Sequence, residues 1–118
     1  MPSDHPYPLP HAFRVNCRCE AEVVVVECFG RLTSDHALQL KEAVREHIAP
    51  GRRVILDLRE VPGMDSSGIG TIVGLYVSGR SRNCRVEMVN ATQAVRDLLS
   101  LTNLLSLFES AGRFGKSI

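Results

Sequence analysis

Asp65, Ser66 and Ser67 place a carboxylate and two hydroxyls at consecutive positions of a 118-residue chain. An acid beside a hydroxyl suggests four chemistries: a nucleophile with its base, a phosphate-binding loop, a helix cap, or a hydroxyl that is itself modified. The hydrolase nucleophile elbow requires Gly-x-Ser-x-Gly, and Met64-Asp65-Ser66-Ser67-Gly68 does not fit it. Nor is a base evident: His5 and His11 fall in an N-terminal tail, and His36 and His47 fall in the first expected helix. Gly63 and Gly68 stand at the spacing of a nucleotide-binding loop, but Ile69 and Gly70 occupy the positions that need Lys and Ser or Thr. Gly68, Gly70 and Gly74 miss the dinucleotide-binding spacing by one residue. An enzyme is therefore not expected, and no cofactor or metal is implied. A serine that serves as a substrate fits the residues present. A phosphate there adds about −1.5 to −2 charges, which a helix N-terminus tolerates. Buried against a partner without a counter-charge, the same dianion costs several kcal/mol. The residues favour a switch of binding over a switch of conformation.

The elements around this stretch follow from periodicity. Residues 1–12 contain Pro2, Pro6, Pro8 and Pro10, which deny helix and ladder hydrogen bonds and predict a flexible tail. Phe13, Val15, Cys17 and Cys19 alternate with polar residues and share one face of a first strand. Val23 to Phe29 is a second strand, and the short Glu20-Ala21-Glu22 turn makes the two an antiparallel hairpin. Thr33, Ser34 and Asp35 open a helix to about Ala49 with Leu40, Val44, and His47 or Ile48 inward, and Pro50-Gly51 stops it. Arg53 to Leu58 reads as a covered strand. From Ser66 to about Arg80, Ile69, Ile72, Val73, Tyr76 and Val77 form a helical stripe. Gly68, Gly70 and Gly74 each cost that helix about 1 kcal/mol against Ala, which points either to close approach by a backbone or partner or to tight helix–sheet packing. Cys84 to Val89 is a fourth strand. Thr92 caps a third helix, with Val95, Leu98, Leu99 and Thr102 inward and Asn103 as a left-handed stop. Leu104 to Phe108 is expected as a short last strand. The order β-β-α-β-α-β-α-β predicts a mixed α/β sheet, parallel after the hairpin. The domain spans residues 13–110, followed by a short tail at 111–118.

Bulk properties narrow the partners. A net charge of +1, no Trp and few other aromatics give no reason to expect nucleic acid. No apolar run reaches the ~18 residues of a membrane span, and no signal-peptide pattern is visible, so a cytoplasmic location is expected. Cys17-Arg18-Cys19 has one residue between its thiols, closer than the two to four of paired structural zinc ligands. All four Cys are read as small, reduced, buried hydrophobes.

Met64-Asp-Ser-Ser-Gly-Ile-Gly70, together with Val54-Ile-Leu-Asp57-Leu58, Val89-Asn90 and Val95-Arg-Asp-Leu-Leu99 running into Leu101-Thr102, resembles the STAS domain, in particular bacterial anti-sigma factor antagonists of the SpoIIAA type. The resemblance runs from about Phe13 to Glu109. It implies partner switching. The unphosphorylated protein binds an anti-sigma factor that is also a serine protein kinase, freeing a sigma factor. Phosphorylation at Ser66, less readily Ser67, ends that binding, and a serine phosphatase restores it. Asp65, Ser66, Ser67, Gly68, Ile69, Arg31 and Thr33 are the implied partner-binding residues. Where the family often has Gly-Glu-Leu-Asp, this chain has Gly30-Arg31-Leu32-Thr33, so both acids are absent and Arg31 reverses a charge. A scaffold or sensing subunit of a stress-signalling or lipid-transport complex, without the phosphoswitch, is the alternative reading.

Overall fold

The computed structural model describes residues 13–101. The N-terminal tail, the inward place of Thr102, the stop at Asn103, the expected strand at Leu104 to Phe108 and the C-terminal tail all lie outside those residues. Within them the order is β1 (Arg14–Glu20), β2 (Val23–Phe29), α1 (Ser34–Arg45), β3 (Arg53–Glu60), α2 (Ser66–Ser81), β4 (Arg85–Val89) and α3 (Gln93–Leu101). The four strands lie side by side in chain order. β1 runs antiparallel to β2, while β2–β3 and β3–β4 are parallel. Ala21 takes the left-handed conformation, φ 56°, in the tight hairpin turn.

Register explains the core. Cys19, Val24, Val54 and Val86 form one row across the sheet, and Cys17, Val26, Leu56 and Met88 form the next. Val24, Val26, Val54, Leu56, Val86 and Met88 are buried, against Leu40, Val44 and Ile48 around α1 and Ile69, Ile72, Leu75 and Tyr76 of α2. Cys28 and Cys84 are buried as expected, whereas Cys17 and Cys19 are exposed. Both occupy core-facing rows, but at the outer end, on the edge strand. At the other end of β1, His36 stacks on Phe13 at 5.6 Å and Gln39 donates to the Phe13 carbonyl. Partial burial, then Cys19 and Glu46, hold the Cys17 thiol above its ordinary pKa, and burial pushes that of Cys28 up to about 12. Neither is a ready thiolate at neutral pH.

Two helices depart from expectation. α1 ends at Arg45, and His47 and Ile48 sit in a following turn closed by bonds to the carbonyls of Val44 and Arg45. The buried stripe of α2 passes through Leu75 and Gly79, leaving Val77 57% exposed and Val73 only partly buried. The cause is close approach at Gly79, where a Cβ would stand 2.7 Å from both the Cys84 carbonyl oxygen and Val86 Cγ2. On the opposite face of the sheet, Glu87 is buried and is held by Arg53 at 3.0 Å and Arg85 at 3.4 Å.

Candidate functional site

Two connections converge at the C-terminal ends of the parallel strands. At the end of β2 the ladder register shifts between Glu27 and Phe29, and Gly30 turns the chain with φ 102° while its N–H donates to the Glu60 carbonyl. Leu32, fully buried, then forms a parallel bridge with Met64. The Leu32 N–H donates to Gly63 at 3.1 Å, and the Asp65 N–H donates to Leu32 at 3.2 Å. This short ladder brings Arg31 and Thr33 alongside Asp65, Ser66 and Ser67. The exposed Arg31 guanidinium lies over Gly63, where a Cβ would be 3.0 Å from it.

Gly68 permits this convergence. A Cβ there would run into the Leu32 carbonyl oxygen and lie 3.0 Å from Met64 Cβ. Gly70 and Gly74 differ, since nothing lies within 4 Å of a Cβ built on either. Of the two explanations the sequence allowed, close backbone approach holds at Gly68 and neither has a contact to act through at Gly70 or Gly74 within the described residues.

Asp65 clamps two helices. Its Oδ1 accepts the Gly68 N–H of α2 at 3.0 Å, and its Oδ2 accepts the Ser34 N–H of α1 at 3.2 Å. Thr33 occupies the N-cap position of α1 without a side-chain cap, so α1 takes its capping carboxylate from the other connection. The bond from Gly68, then those from Ser34, Ser67 and its own N–H, hold the Asp65 carboxyl below its usual pKa, against an opposing effect of desolvation. With both oxygens engaged by backbone, Asp65 acts as a cap rather than as a base. Its lowered pKa contributes stability above the unfolded carboxylate value, near 3.9, and that stability is lost as pH falls through the lower folded value. Asp65→Ala should therefore lower the urea midpoint at neutral pH, and the deficit should shrink once the pH drops below about 4. Asp65→Asn, which keeps one acceptor oxygen, should lie between. A deficit that persists unchanged in strong acid would contradict the clamp.

Ser66 and Ser67 are both exposed at the start of α2. Ser67 lines a groove between α1 and α2, which Ser66 does not. Gly68 and Ile69, implied as partner-binding residues, are buried, Ile69 with 8% exposure. Their side of α2 faces the core. Thr92 caps α3 through the Val95 N–H and donates to the Val61 carbonyl at 3.0 Å, tying the third connection to the same end of the sheet.

The chain matches the STAS domain over residues 14–117. The chain belongs to the STAS domain family. Among its relatives is the anti-sigma-B factor antagonist of Listeria monocytogenes, 30% identical over 81 residues that cover 68% of this chain and 71% of the relative. Among solved structures, the anti-sigma factor antagonist SpoIIAA in its unphosphorylated form superposes with TM-score 0.66 at 23% identity, covering 80% of this chain and 84% of the other. The Bacillus cell fate determinant SpoIIAA in its phosphorylated form superposes with TM-score 0.63 at 23% identity, covering 82% of this chain and 87% of the other. A sulfate transporter family protein of Wolinella succinogenes superposes equally, with TM-score 0.66 at 18% identity over 78% of this chain and 76% of the other. The architecture is thus the STAS fold, a mixed α/β sheet with an N-terminal hairpin. The fold serves proteins with different names, so function lies in the site rather than in the fold.

The sequence did not reveal that Asp65 reaches α1, because a cap on a helix 31 residues away leaves no local pattern. It also missed the groove residues Ala37, Leu38, Lys41, Arg45 and Arg82. One signal was present: Gly70 and Gly74 are spaced i, i+4 on a single helical face.

Proposed function

We propose that this STAS domain is an anti-sigma factor antagonist that works by partner switching, non-catalytic itself and modified at Ser66. The observation that carries the reading is a pair of exposed hydroxyls beside an acid with no spare oxygen to activate them. Both described histidines lie on α1 or the turn after it, and His36 is stacked on Phe13 over β1. A hydroxyl so placed serves as the acceptor of another protein's chemistry. An anti-sigma factor that is also a serine protein kinase binds this face. It transfers the γ-phosphoryl of ATP to Ser66 Oγ, and ADP and the hydroxyl proton leave. A serine phosphatase hydrolyses the ester and resets the chain. The Listeria relative's name supports the antagonist role, and so does the existence of SpoIIAA in two phosphorylation states.

The test is phosphosite mapping. The chain, incubated with Mg-ATP and the kinase it retains from native cells, should gain one phosphate on Ser66, and Ser66→Ala should gain none there. Absence of modification at both Ser66 and Ser67 with that kinase would overturn the proposal.

A second reading draws on Arg31. Its cation stands where the family often carries an acid, at the mouth of the site. A scaffold or sensing subunit in a stress-signalling or lipid-transport complex would tolerate that change, and its partner's affinity would not respond to Ser66→Asp.

A further inference from the structure

Gly70 and Gly74 weaken α2 with no contact in the described chain to justify them. Both are exposed and line a groove of about 750 Å³ between α1 and α2, which begins at Ser67 and ends at Arg82. At about 1.5 Å per residue it follows α2 for roughly 20 Å, four turns of a helix. Ala37 and Ser78 continue the small-residue lining, and Leu38 stands at the lip with 61% of its surface exposed.

The groove is charged on one sign only. Lys41, Arg45 and Arg82 line it, and no carboxylate does. Among the described residues none of the three makes a salt bridge. Glu42 and Glu46 share a separate depression with Arg45 and Arg82 and line none of this one.

We propose that this groove seats an α-helix of the partner that carries carboxylates on the face turned toward Lys41, Arg45 and Arg82. The proposal rests on the partner-switching reading in that the helix belongs to the partner that Ser66 controls. A helix fits because a row of small residues at i, i+4 lets the side-chain ridge of a third helix settle between α1 and α2. Acidity follows from charge complementarity, which fixes orientation and speeds encounter. A phosphate near the Ser67 end adds negative charge where an acidic helix must enter.

The probes are two 16-residue helical peptides with the same Leu and Ala positions, one with Glu and the other with Lys on its polar face. Titrated into the 118-residue chain at low salt, the Glu peptide should bind at least tenfold more tightly, shifting the backbone amide resonances of Ala37, Gly70, Gly74 and Ser78. The triple variant Lys41→Glu/Arg45→Glu/Arg82→Glu should reverse the preference. Gly70→Leu should abolish binding while remaining folded, since that position is open. Equal affinities, no binding, or shifts confined to other surfaces would overturn the proposal. So would a dimer of this chain that Gly70→Leu converts to monomer. The assay contains no kinase, so its failure leaves the Ser66 reading standing. Loss of the Ser66 switch likewise leaves the groove result intact.

Discussion

Ser66→Asp should weaken binding to the kinase partner by at least a hundredfold while leaving the thermal midpoint nearly unchanged. Position 66 is the first residue of α2 and is exposed, so a carboxylate there meets water and the positive end of a helix in the free chain. Surface changes of this kind usually move stability by about 0.5 kcal/mol or less. In the complex the same charge is desolvated next to Asp65, whose two oxygens are already engaged. An uncompensated buried charge costs about 3–5 kcal/mol, and about 2.7 kcal/mol already corresponds to a hundredfold. Ser66→Ala removes only a hydroxyl and should bind within a few-fold of the wild type. Surface plasmon resonance on the three chains, with circular dichroism as the folding control, makes the comparison. Equal loss in both variants would mean that the hydroxyl, not the charge, matters.

Gly68→Ala should destabilise the domain by about 2 kcal/mol, although Ala is the better helix former by about 1 kcal/mol. The added methyl meets the Leu32 carbonyl oxygen, a backbone atom that cannot move aside as a flexible side chain would. Overpacking of this kind costs typically 1–3 kcal/mol, occasionally more. Relief by separation breaks the Leu32–Met64 bridge and the Asp65 N–H bond to Leu32, so the α1 and α2 starts part together. Gly74→Ala, in open space on the same helix, is the control and should gain up to about 1 kcal/mol. Urea denaturation of the two variants should therefore move in opposite directions. Movement in the same direction would show that propensity, not the Leu32 contact, governs Gly68.

What could be read from the sequence was whatever has a period. Alternation in β1 and β2 gave the hairpin, and the apolar run from Arg53 gave a strand covered on both sides. Asp65-Ser66 announced a helix start because capping is local. Alternation assigns a face but not what covers it, so Cys17 and Cys19 were expected inside and lie exposed at the sheet edge. Ile69 lies in the apolar stripe that the helical period picks out, and it is buried with Ile72 and Tyr76. The second bond of Asp65, to Ser34, depends on two loops meeting, which only the assembled sheet decides.

On the proposed reading, one phosphate on Ser66 decides whether the partner is held. The most direct measurement is calorimetric titration of the cognate kinase with the unphosphorylated chain, with the same chain stoichiometrically phosphorylated on Ser66, and with that material after phosphatase treatment. Binding should be tight in the first and third titrations and at least a hundredfold weaker in the second. Equal affinity in all three would contradict that reading.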